Sequence, residues 1–311
     1  MIDYPALEAL AAVIEQRGFE RAARKLNISQ PAVSQRIRQL EYRLGQPVLL
    51  RTTPPRLTEL GQRLTNHLQQ VHQLEQGLVL PDQSAGPLQV RLAVNADSVD
   101  TWLAQALSAC EDVGNIDFDL VIEDQDVALQ RMRNGEVMAC ICAEPAPVNG
   151  GLSIPLGVMR YRSLASPAFI ERFALRSRSI KRRTPLAQLP TLIYSADDRL
   201  QHRFLAANSP VSEPQRAHRC PSSSGFIRMM LAGLGFGMAP QIQVAEHIQN
   251  GDLVDVVPGY YLDVPLYWHY WQTESQTLKQ LRLAVGDVAG KVLLPMKKIG
   301  TVRVEKIDSA H

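Results

Sequence analysis

The fold of this chain is decided by residues 29–44, which read SQPAVSQRIRQLEYRL. The apolar residues within this stretch are Val33, Ile37, Leu40 and Leu44. They recur at steps of three and four residues, the spacing that lines one side of an α-helix. Ser29 stands where an N-cap is expected, and Gly45 stands where the helix would end. The opposite side of the predicted helix is polar and basic, which suits either base edges or solvent.

Two shorter helical patterns precede this stretch. The first begins at Pro5 and repeats apolar residues up to Ile14, and Gly18 is predicted to end it with a left-handed C-cap. The second runs from Phe19 to Leu26, and only a tight turn fits between it and the third pattern. Three helices with a tight turn before the third indicate a helix-turn-helix, whose last helix enters the major groove of DNA. This arrangement favours DNA recognition over a merely solvated helix face.

The residues that we expect to contact DNA lie on the third helix and just after it. Gln and Arg side chains can each make two hydrogen bonds with a base edge. After Gly45, two short extended runs flank Pro54-Pro55 and predict a two-stranded wing. Residues 1–66 carry ten Lys and Arg against six Asp and Glu, a net charge of +4 in a chain of net +2, so positive charge is concentrated where a polyanion would bind. The predicted DNA-binding residues are Ser29, Gln30, Pro31, Ser34, Gln35, Arg36, Arg38, Arg51 and Arg56.

Three segments resemble the winged helix-turn-helix of LysR-type transcriptional regulators. They read FERAARKL (residues 19–26), SQPAVSQRIRQLE (29–41), and LG followed by LLR (44–45 and 49–51). The resemblance implies an α/β fold class: an N-terminal winged helix-turn-helix, a long linker helix, and a C-terminal effector domain of two Rossmann-like subdomains similar to periplasmic binding proteins. It also implies a homodimer, or a dimer of dimers, on a double-stranded DNA operator, with RNA polymerase as a further partner.

A long helical pattern follows the wing. Its apolar residues are Leu60, Leu64, Leu68, Val71, Leu74 and Leu78. An apolar stripe on a helix without obvious cover predicts one half of a helix pair, although packing on its own domain is the alternative. Residues 81–87 read PDQSAGP and mark the main domain boundary.

Beyond Pro87, strand and helix patterns alternate, which predicts a parallel sheet flanked by helices. With the family resemblance, this pattern gives the predicted division of the chain. The predicted units are residues 1–58 (winged helix-turn-helix DNA-binding domain), 59–86 (linker and dimerisation helix, with the hinge), 87–296 (effector domain, with subdomain I at 87–161 plus 265–296 and subdomain II at 162–264) and 297–311 (C-terminal tail).

Polar residues at the predicted strand ends form a candidate effector site. Ligands of parallel sheets bind beyond the C-terminal ends of the strands, beside helix N-termini whose free N–H groups hold carboxylates. Serine hydroxyls could donate to a ligand carboxylate, and the acidic residues could accept from a cation, although each residue alone could also be a simple helix cap. The predicted effector-binding residues are Asn95, Asp97, Ser98, Glu123, Asp124, Asp197, Asp198, Ser223 and Ser224.

Five short segments are similar to the ArgP/LysG branch of the LysR-type regulators. They are residues 92–98 (LAVNADS), 123–124 (ED), 133–137 (RNGEV), 197–198 (DD) and 266–268 (LYW). Members of this branch sense lysine and arginine and regulate lysine or arginine export and related amino-acid metabolism, and members have been named inhibitors of replication initiation. The resemblance therefore implies a basic amino acid as effector, and it leaves lysine and arginine both open.

Several function classes are disfavoured by what the sequence contains. No apolar run approaches 18 residues and no signal peptide opens the chain, so we expect a cytoplasmic protein without membrane partners. We expect the four cysteines to be buried apolar residues. No catalytic or metal-ligand spacing stands out, which predicts a protein that is not an enzyme and needs no cofactor or metal. Two alternatives stay open: an enzyme of the binding-protein fold with a DNA-binding appendage, and an architectural DNA binder without small-molecule control.

Overall fold

The computed structural model describes residues 2–76, 87–110, 113–123, 125–176 and 184–296. Asp124, most of the predicted hinge after the linker helix, and the C-terminal tail at 297–311 lie outside the described residues. In the described part of the chain, no helix combines the length and apolarity that crossing a bilayer requires.

Three helices form the N-terminal unit, as the sequence predicts: α1 (Tyr4–Glu15), α2 (Phe19–Lys25) and α3 (Gln30–Leu44). Val33, Ile37 and Leu40 of α3 are buried in one core cluster with the apolar residues of α1, whereas Leu44 is 38% exposed. The Ser29 hydroxyl accepts a hydrogen bond from the Ala32 amide at 3.3 Å, and Gly45 ends the helix with a φ of 71°. Both predicted ends of α3 are therefore confirmed.

The turn between α1 and α2 differs from the prediction at Gly18. The left-handed residue is Arg17, with a φ of 52°, whereas Gly18 is extended with a φ of 166°. The amides of Arg17 and Gly18 donate to the carbonyls of Ile14 (3.0 Å) and Val13 (2.9 Å), which is the Schellman pattern of helix closure. In that pattern the left-handed residue precedes the last donor, so the left-handed position falls one residue before the glycine.

The wing is a two-stranded antiparallel ribbon, β1 (Leu49–Leu50) and β2 (Arg56–Leu57), as predicted. The helix that follows, α4 (Glu59–Gln76), crosses the wing at Gly61. A side chain at Gly61 would place its Cβ 1.9 Å from the Val48 carbonyl oxygen. Glycine at this position is what allows α4 to lie against the wing.

The apolar stripe of α4 is covered by its own domain along its first half. Leu68 is buried in the N-terminal core, and Leu60 and Leu64 pack against that core. Their contacts with α1 and the wing support the alternative prediction of packing on the same domain, and pairing with a second subunit stays a prediction. The side chain of Leu74 and all of Leu78 lie outside the described residues.

The C-terminal unit contains nine strands and eight helices among the residues that the structure describes. The strands are β3 (Leu88–Val94), β4 (Ile116–Ile122), β5 (Ala139–Cys142), β6 (Gly151–Ala165), β7 (Pro190–Ile193), β8 (Arg216–Arg219), β9 (Gly237–Pro240), β10 (Val254–Asp255) and β11 (Tyr261–Trp271). The helices are α5 (Ala96–Ser98), α6 (Ala104–Ser108), α7 (Gln125–Arg133), α8 (Pro167–Arg172), α9 (Leu200–Asn208), α10 (Ser223–Leu231), α11 (Ala245–Gln249) and α12 (Gln276–Val292). A π-helical turn, Val99–Leu103, joins α5 to α6.

Seven of these strands form one sheet in the order β10-β6-β11-β5-β3-β4, with β9 also paired to β6. β3 pairs in parallel with β4 and β5, but the long strands β6 and β11 are antiparallel to each other and to their other neighbours. The prediction of a parallel sheet is therefore correct for β3, β4 and β5, and for β7 and β8, which form a separate parallel pair. The predicted subdomain borders at residues 161 and 265 fall inside β6 and β11.

The cysteines agree in large part with the sequence prediction. Cys110, Cys140 and Cys142 are buried, whereas Cys220 is partly exposed. Cys140 and Cys142 both belong to a small apolar cluster between β5 and α7. In the described part of the chain, no group of metal-binding side chains surrounds them.

Candidate functional site

The outer face of α3 is exposed to solvent. Gln35 and Arg38, the two residues predicted to face bases, are both exposed, and so are Gln30 and Pro31. Tyr42, further along the same face, is 89% exposed. Arg36 is half-buried on the flank of this face. The side chains needed for base contact thus point away from the core that Val33 and Ile37 build.

The hydroxyls of Ser29 and Ser34, both predicted to contact DNA, form hydrogen bonds within the protein. Ser29 caps the helix, and Ser34 is only 9% exposed. The Ser34 hydroxyl accepts a hydrogen bond from the Gln30 side-chain amide at 3.3 Å. The contact of Ser34 with DNA stays a prediction, and the small exposed fraction of this residue counts against it. The hydrogen bond to Ser34 restricts the exposed side chain of Gln30.

The wing carries its two predicted arginines on the surface. Arg51 follows β1 and Arg56 begins β2, and both are exposed. Leu49 on the same ribbon is buried, which anchors the wing on the N-terminal core. The wing therefore presents two cations on a short fixed ribbon, an arrangement suited to phosphate contact.

A cavity of about 480 Å³ opens at the C-terminal ends of β3, β4 and β7. This volume is in the range of sites that bind small molecules. Its polar lining residues are Asn95, Asp97, Glu123, Tyr161, Tyr194, Asp197, Asp198, Arg199, Arg203, Ser223 and Gln243. Its apolar lining residues are Ala96, Ile122, Val127, Leu200, Phe226, Ile227, Met238, Ala239 and Pro240. The structure thus brings together residues that are far apart in the sequence.

The cavity contains most of the predicted effector residues. Those that line it are Asn95, Asp97, Glu123, Asp197, Asp198 and Ser223. Ser98 and Ser224 do not, and for these two the prediction is wrong. Ser98 is completely buried and its Oγ has no hydrogen-bond partner among the described residues, whereas Ser224 is exposed. Ser98 and Ser224 each directly follow a residue that lines the cavity, and successive side chains of a helix point about 100° apart.

Asp97 is the centre of a hydrogen-bond network in the cavity. The Tyr161 hydroxyl donates to its Oδ2 at 2.6 Å, and the Ser223 hydroxyl donates to its Oδ1 at 3.4 Å. The side-chain amide of Gln243 in turn donates to the Ser223 hydroxyl at 2.9 Å. Ser223 opens α10, so this network joins the first turns of α5 and α10.

Burial raises the pKa of Asp97 from its ordinary value of 3.8 to about 6, against the opposing effect of the Tyr161 hydrogen bond. The negative charges of Asp198 and Asp100 add to the increase. Burial and the neighbouring Asp97 also raise the pKa of Tyr161, so this hydroxyl stays a neutral donor. The carboxyl group of Asp97 is therefore held in an environment where a nearby cation would stabilise its charged form.

The other carboxylates of the cavity have different partners. Asp198 accepts hydrogen bonds from the amides of Leu200 (2.9 Å) and Tyr194 (3.1 Å), so it holds the loop between β7 and α9, whereas the N-cap position of α9 is Arg199. Glu123 accepts a hydrogen bond from Arg131 at 2.6 Å. Asp197 is exposed at the cavity edge and, among the described residues, forms no ion pair.

The cavity offers groups for both ends of a zwitterion. Asn95 precedes α5, and its Oδ1 is buried with no hydrogen-bond partner among the described residues. The N-termini of α5 and α10 present backbone N–H groups, which suit a carboxylate. The carboxylates, together with the Asn95 oxygen, suit ammonium or guanidinium donors. Four acidic residues line the cavity against two arginines, which favours a ligand with excess positive charge.

Sequence reasoning missed Tyr161 and Gln243. Tyr161 lies in the middle of β6, and Gln243 follows β9 in a loop. Neither residue has a local signal such as a cap or a motif, because each reaches the cavity only through the pairing of β6 with β9.

Comparisons with known families cover most of the chain. A profile described as a bacterial regulatory helix-turn-helix protein of the lysR family matches residues 5–62, and one described as the LysR substrate binding domain matches residues 84–290. The HTH-type transcriptional regulator ArgP of Pseudomonas fluorescens Pf-5 is 48% identical over 302 residues, which is 96% of this chain and 100% of that protein. The ArgP of Pseudomonas aeruginosa UCBPP-PA14 is 49% identical over 285 residues, 90% of this chain and 94% of that protein.

Two solved structures are also similar over nearly the full length. ArgP from Mycobacterium tuberculosis is 33% identical with a TM-score of 0.84, covering 95% of this chain and 100% of that one. Full-length LysG from Corynebacterium glutamicum, with the bound effector Arg, is 29% identical with a TM-score of 0.75, covering 94% of this chain and 100% of that one.

Proposed function

The chain belongs to the LysR family of DNA-binding transcriptional regulators, and from this premise we propose that its cavity binds lysine or arginine as effector. Its relatives are regulators and not enzymes. The observation that carries the proposal is the set of four carboxylates beside two helix N-termini in one cavity. A LysG relative holds arginine as its effector, which supports the same ligand class here.

The proposed ligand lies between the first turns of α5 and α10. Its α-carboxylate accepts from the N–H groups of those turns and from the Ser223 hydroxyl, which in this proposal turns from Asp97 to the ligand. Its α-ammonium group donates to Asp97 and to the unpaired oxygen of Asn95. Its side-chain cation lies between Asp197 and Glu123, which both line the cavity. This arrangement satisfies each charge of a basic amino acid with a group of opposite sign.

The proposed DNA contacts follow from the exposed face of α3. Gln35 and Arg38 read base edges in the major groove, with Gln30 beside them, while Arg51 and Arg56 of the wing contact phosphates. We propose a homodimer, or a dimer of dimers, that places two such units on one cytoplasmic DNA operator and regulates genes of lysine or arginine export or amino-acid metabolism, with RNA polymerase as a further partner. Residues 1–58, 59–86 and 87–296 remain the proposed division into DNA-binding, linker and effector parts, with 297–311 as a tail.

A thermal-shift screen of the full chain against the twenty amino acids tests this proposal. We expect lysine or arginine to raise the melting temperature, because a ligand at a hundred times its Kd adds about 2.7 kcal/mol to native stability. Asp197→Asn should weaken binding of the same amino acid by about tenfold, whereas Asp287→Asn, an exposed carboxylate on α12, should leave it unchanged. The absence of a shift with any amino acid would contradict the proposal and favour an architectural DNA binder.

A further inference from the structure

The linker helix touches the effector part at a point that has no room for a side chain. The turn after α7 contains Gly135, which has a φ of 65°. A Cβ added there would lie 2.6 Å from the Cβ of Asn66 on α4. Asn66 is buried, and its side-chain oxygen accepts a hydrogen bond from Gln62 at 3.0 Å. A movement of this turn therefore acts directly on α4.

Arg131 connects the same turn to the wall of the cavity. Its Nε donates to Glu123 Oε1 at 2.6 Å, and its Nη1 donates to Glu136 Oε2 at 2.6 Å. Glu123 lines the cavity, and Glu136 follows Gly135 directly. Asn134 also donates to Glu136, at 3.0 Å. One guanidinium group is thus shared between a carboxylate of the cavity and a carboxylate of the turn.

The helix that carries Arg131 is anchored as a unit. Ala128, Leu129 and Met132 of α7 are buried in one apolar cluster with Cys140 and Cys142 of β5. Val127, near the start of α7, lines the cavity. Packed helices shift as rigid units because close-packed interiors do not deform continuously.

We propose that Arg131 is a positioning residue that transmits occupancy of the cavity to the linker helix through Glu136, Gly135 and Asn66. This inference rests on the proposed effector. A ligand cation close to Glu123 weakens the hold of that carboxylate on Arg131, so Arg131 is drawn towards Glu136. The ligand-free and ligand-bound states then differ in the contact between this turn and α4. Coupling between two sites requires such a difference in contacts.

Amide hydrogen exchange of the full chain tests the inference without knowledge of the operator. The chain is compared without ligand, with saturating L-arginine and, separately, with L-lysine, and the reported segment is residues 60–68 of α4. We expect the better ligand to change the exchange rates of this segment by about fivefold, the lower end of typical coupling. Glu136→Ala should abolish the change while the Kd of the amino acid, measured by calorimetry, stays within about twofold of the wild-type value.

Arg133→Gln is the matched control, because Arg133 is an exposed arginine at the end of the same helix. This variant should keep the full exchange response. If Glu136→Ala does not fold, Asn66→Ala removes the carboxamide group of Asn66 from the contact at Gly135 and should weaken the exchange response. A wild-type chain that binds neither amino acid contradicts the proposed function. Binding without an exchange response in α4, or a full response in a folded Glu136→Ala or Asn66→Ala variant, overturns this inference alone.

Discussion

At the scale of single residues, Asp97 combines burial with hydrogen bonds from two hydroxyl groups. Its carboxyl group receives hydrogen bonds from Tyr161 and Ser223, yet burial still raises its pKa to about 6. Below this pH the carboxyl group is predominantly protonated, and above it the group is a buried anion without an ion-pair partner among the described residues. Since the folded-state pKa exceeds the ordinary value of 3.8, the contribution of Asp97 to the stability of the ligand-free chain falls as pH rises from 3.8 through about 6.

The raised pKa of Asp97 predicts a pH-dependent affinity for the basic amino acid. A ligand ammonium group beside Asp97 favours the ionised form, so binding should release a proton and tighten as pH rises. With a pKa of about 6, the Kd measured by calorimetry should fall by about tenfold between pH 5 and pH 7. Asp97→Asn should lose this dependence. An unchanged slope in that variant would assign the titration to another group.

Arg38 gives a second prediction at this scale. Its exposed side chain faces away from the core of the N-terminal unit, so Arg38→Ala should weaken binding to DNA selected by the wild-type chain by about 1–3 kcal/mol. Fluorescence anisotropy on selected and random duplexes measures the effect. Arg63→Ala, an exposed arginine on α4, serves as the control. Equal losses on selected and random DNA for Arg38→Ala would mean that Arg38 contacts phosphate and not a base.

At the scale of elements, α1 and α2 end with the same hydrogen-bond pattern. After α2, Asn27 is left-handed with a φ of 53°, and the amides of Asn27 and Ile28 donate to Arg24 and Ala23, as Arg17 and Gly18 donate after α1. Two successive Schellman closures give the tight spacing of the three helices. Neither left-handed residue is a glycine, so glycine content alone did not locate these turns.

At this scale, alanine substitutions of Gly61 and Gly45 distinguish a steric clash from an unfavourable backbone conformation. Gly61→Ala should destabilise the chain by well over 2 kcal/mol, because its Cβ would overlap the Val48 carbonyl oxygen. Gly45→Ala should cost about 1–2 kcal/mol, because its φ of 71° is left-handed but nothing lies within 4 Å of the new Cβ. Urea unfolding monitored by circular dichroism gives the midpoint of each variant, and the midpoint of Gly61→Ala should be the lower one. The reverse order would mean that α4 can move away from the wing at little cost.

At the scale of the whole molecule, the effector cavity and the DNA-reading face are separate surfaces. The face on α3 carries Gln35 and Arg38, whereas the cavity lies at the strand ends of the C-terminal unit. Under the proposed function, an effector changes the relation between paired DNA-binding units, and with it site spacing and DNA bending, without changing how a base is read.

This separation predicts that the two effects combine independently. Arg38→Ala should weaken binding to the selected DNA by the same factor with and without saturating arginine or lysine, because distant sites without shared partners have additive free energies to within about 0.5 kcal/mol. Anisotropy titrations of wild-type and variant chains, each with and without ligand, provide the four values. A loss that differs by more than this margin would show that the effector alters base contact itself.

The sequence by itself determined the N-terminal unit and the kinds of residue in the effector site. Helix periodicity, the Ser29 cap and the Gly45 stop depend on neighbours within about four residues, so they can be read locally. The tertiary structure alone decided that Asp97 and Ser223 face the cavity while Ser98 and Ser224 do not.

It also decided that Tyr161 joins the site, that β6 and β11 run antiparallel, and that Leu60, Leu64 and Leu68 of α4 pack on their own domain. The physical reason is that these features depend on contacts between residues far apart in the chain. Strand pairing and the rotation of a helix about its axis are fixed by packing of the whole unit, and no local pattern carries that information.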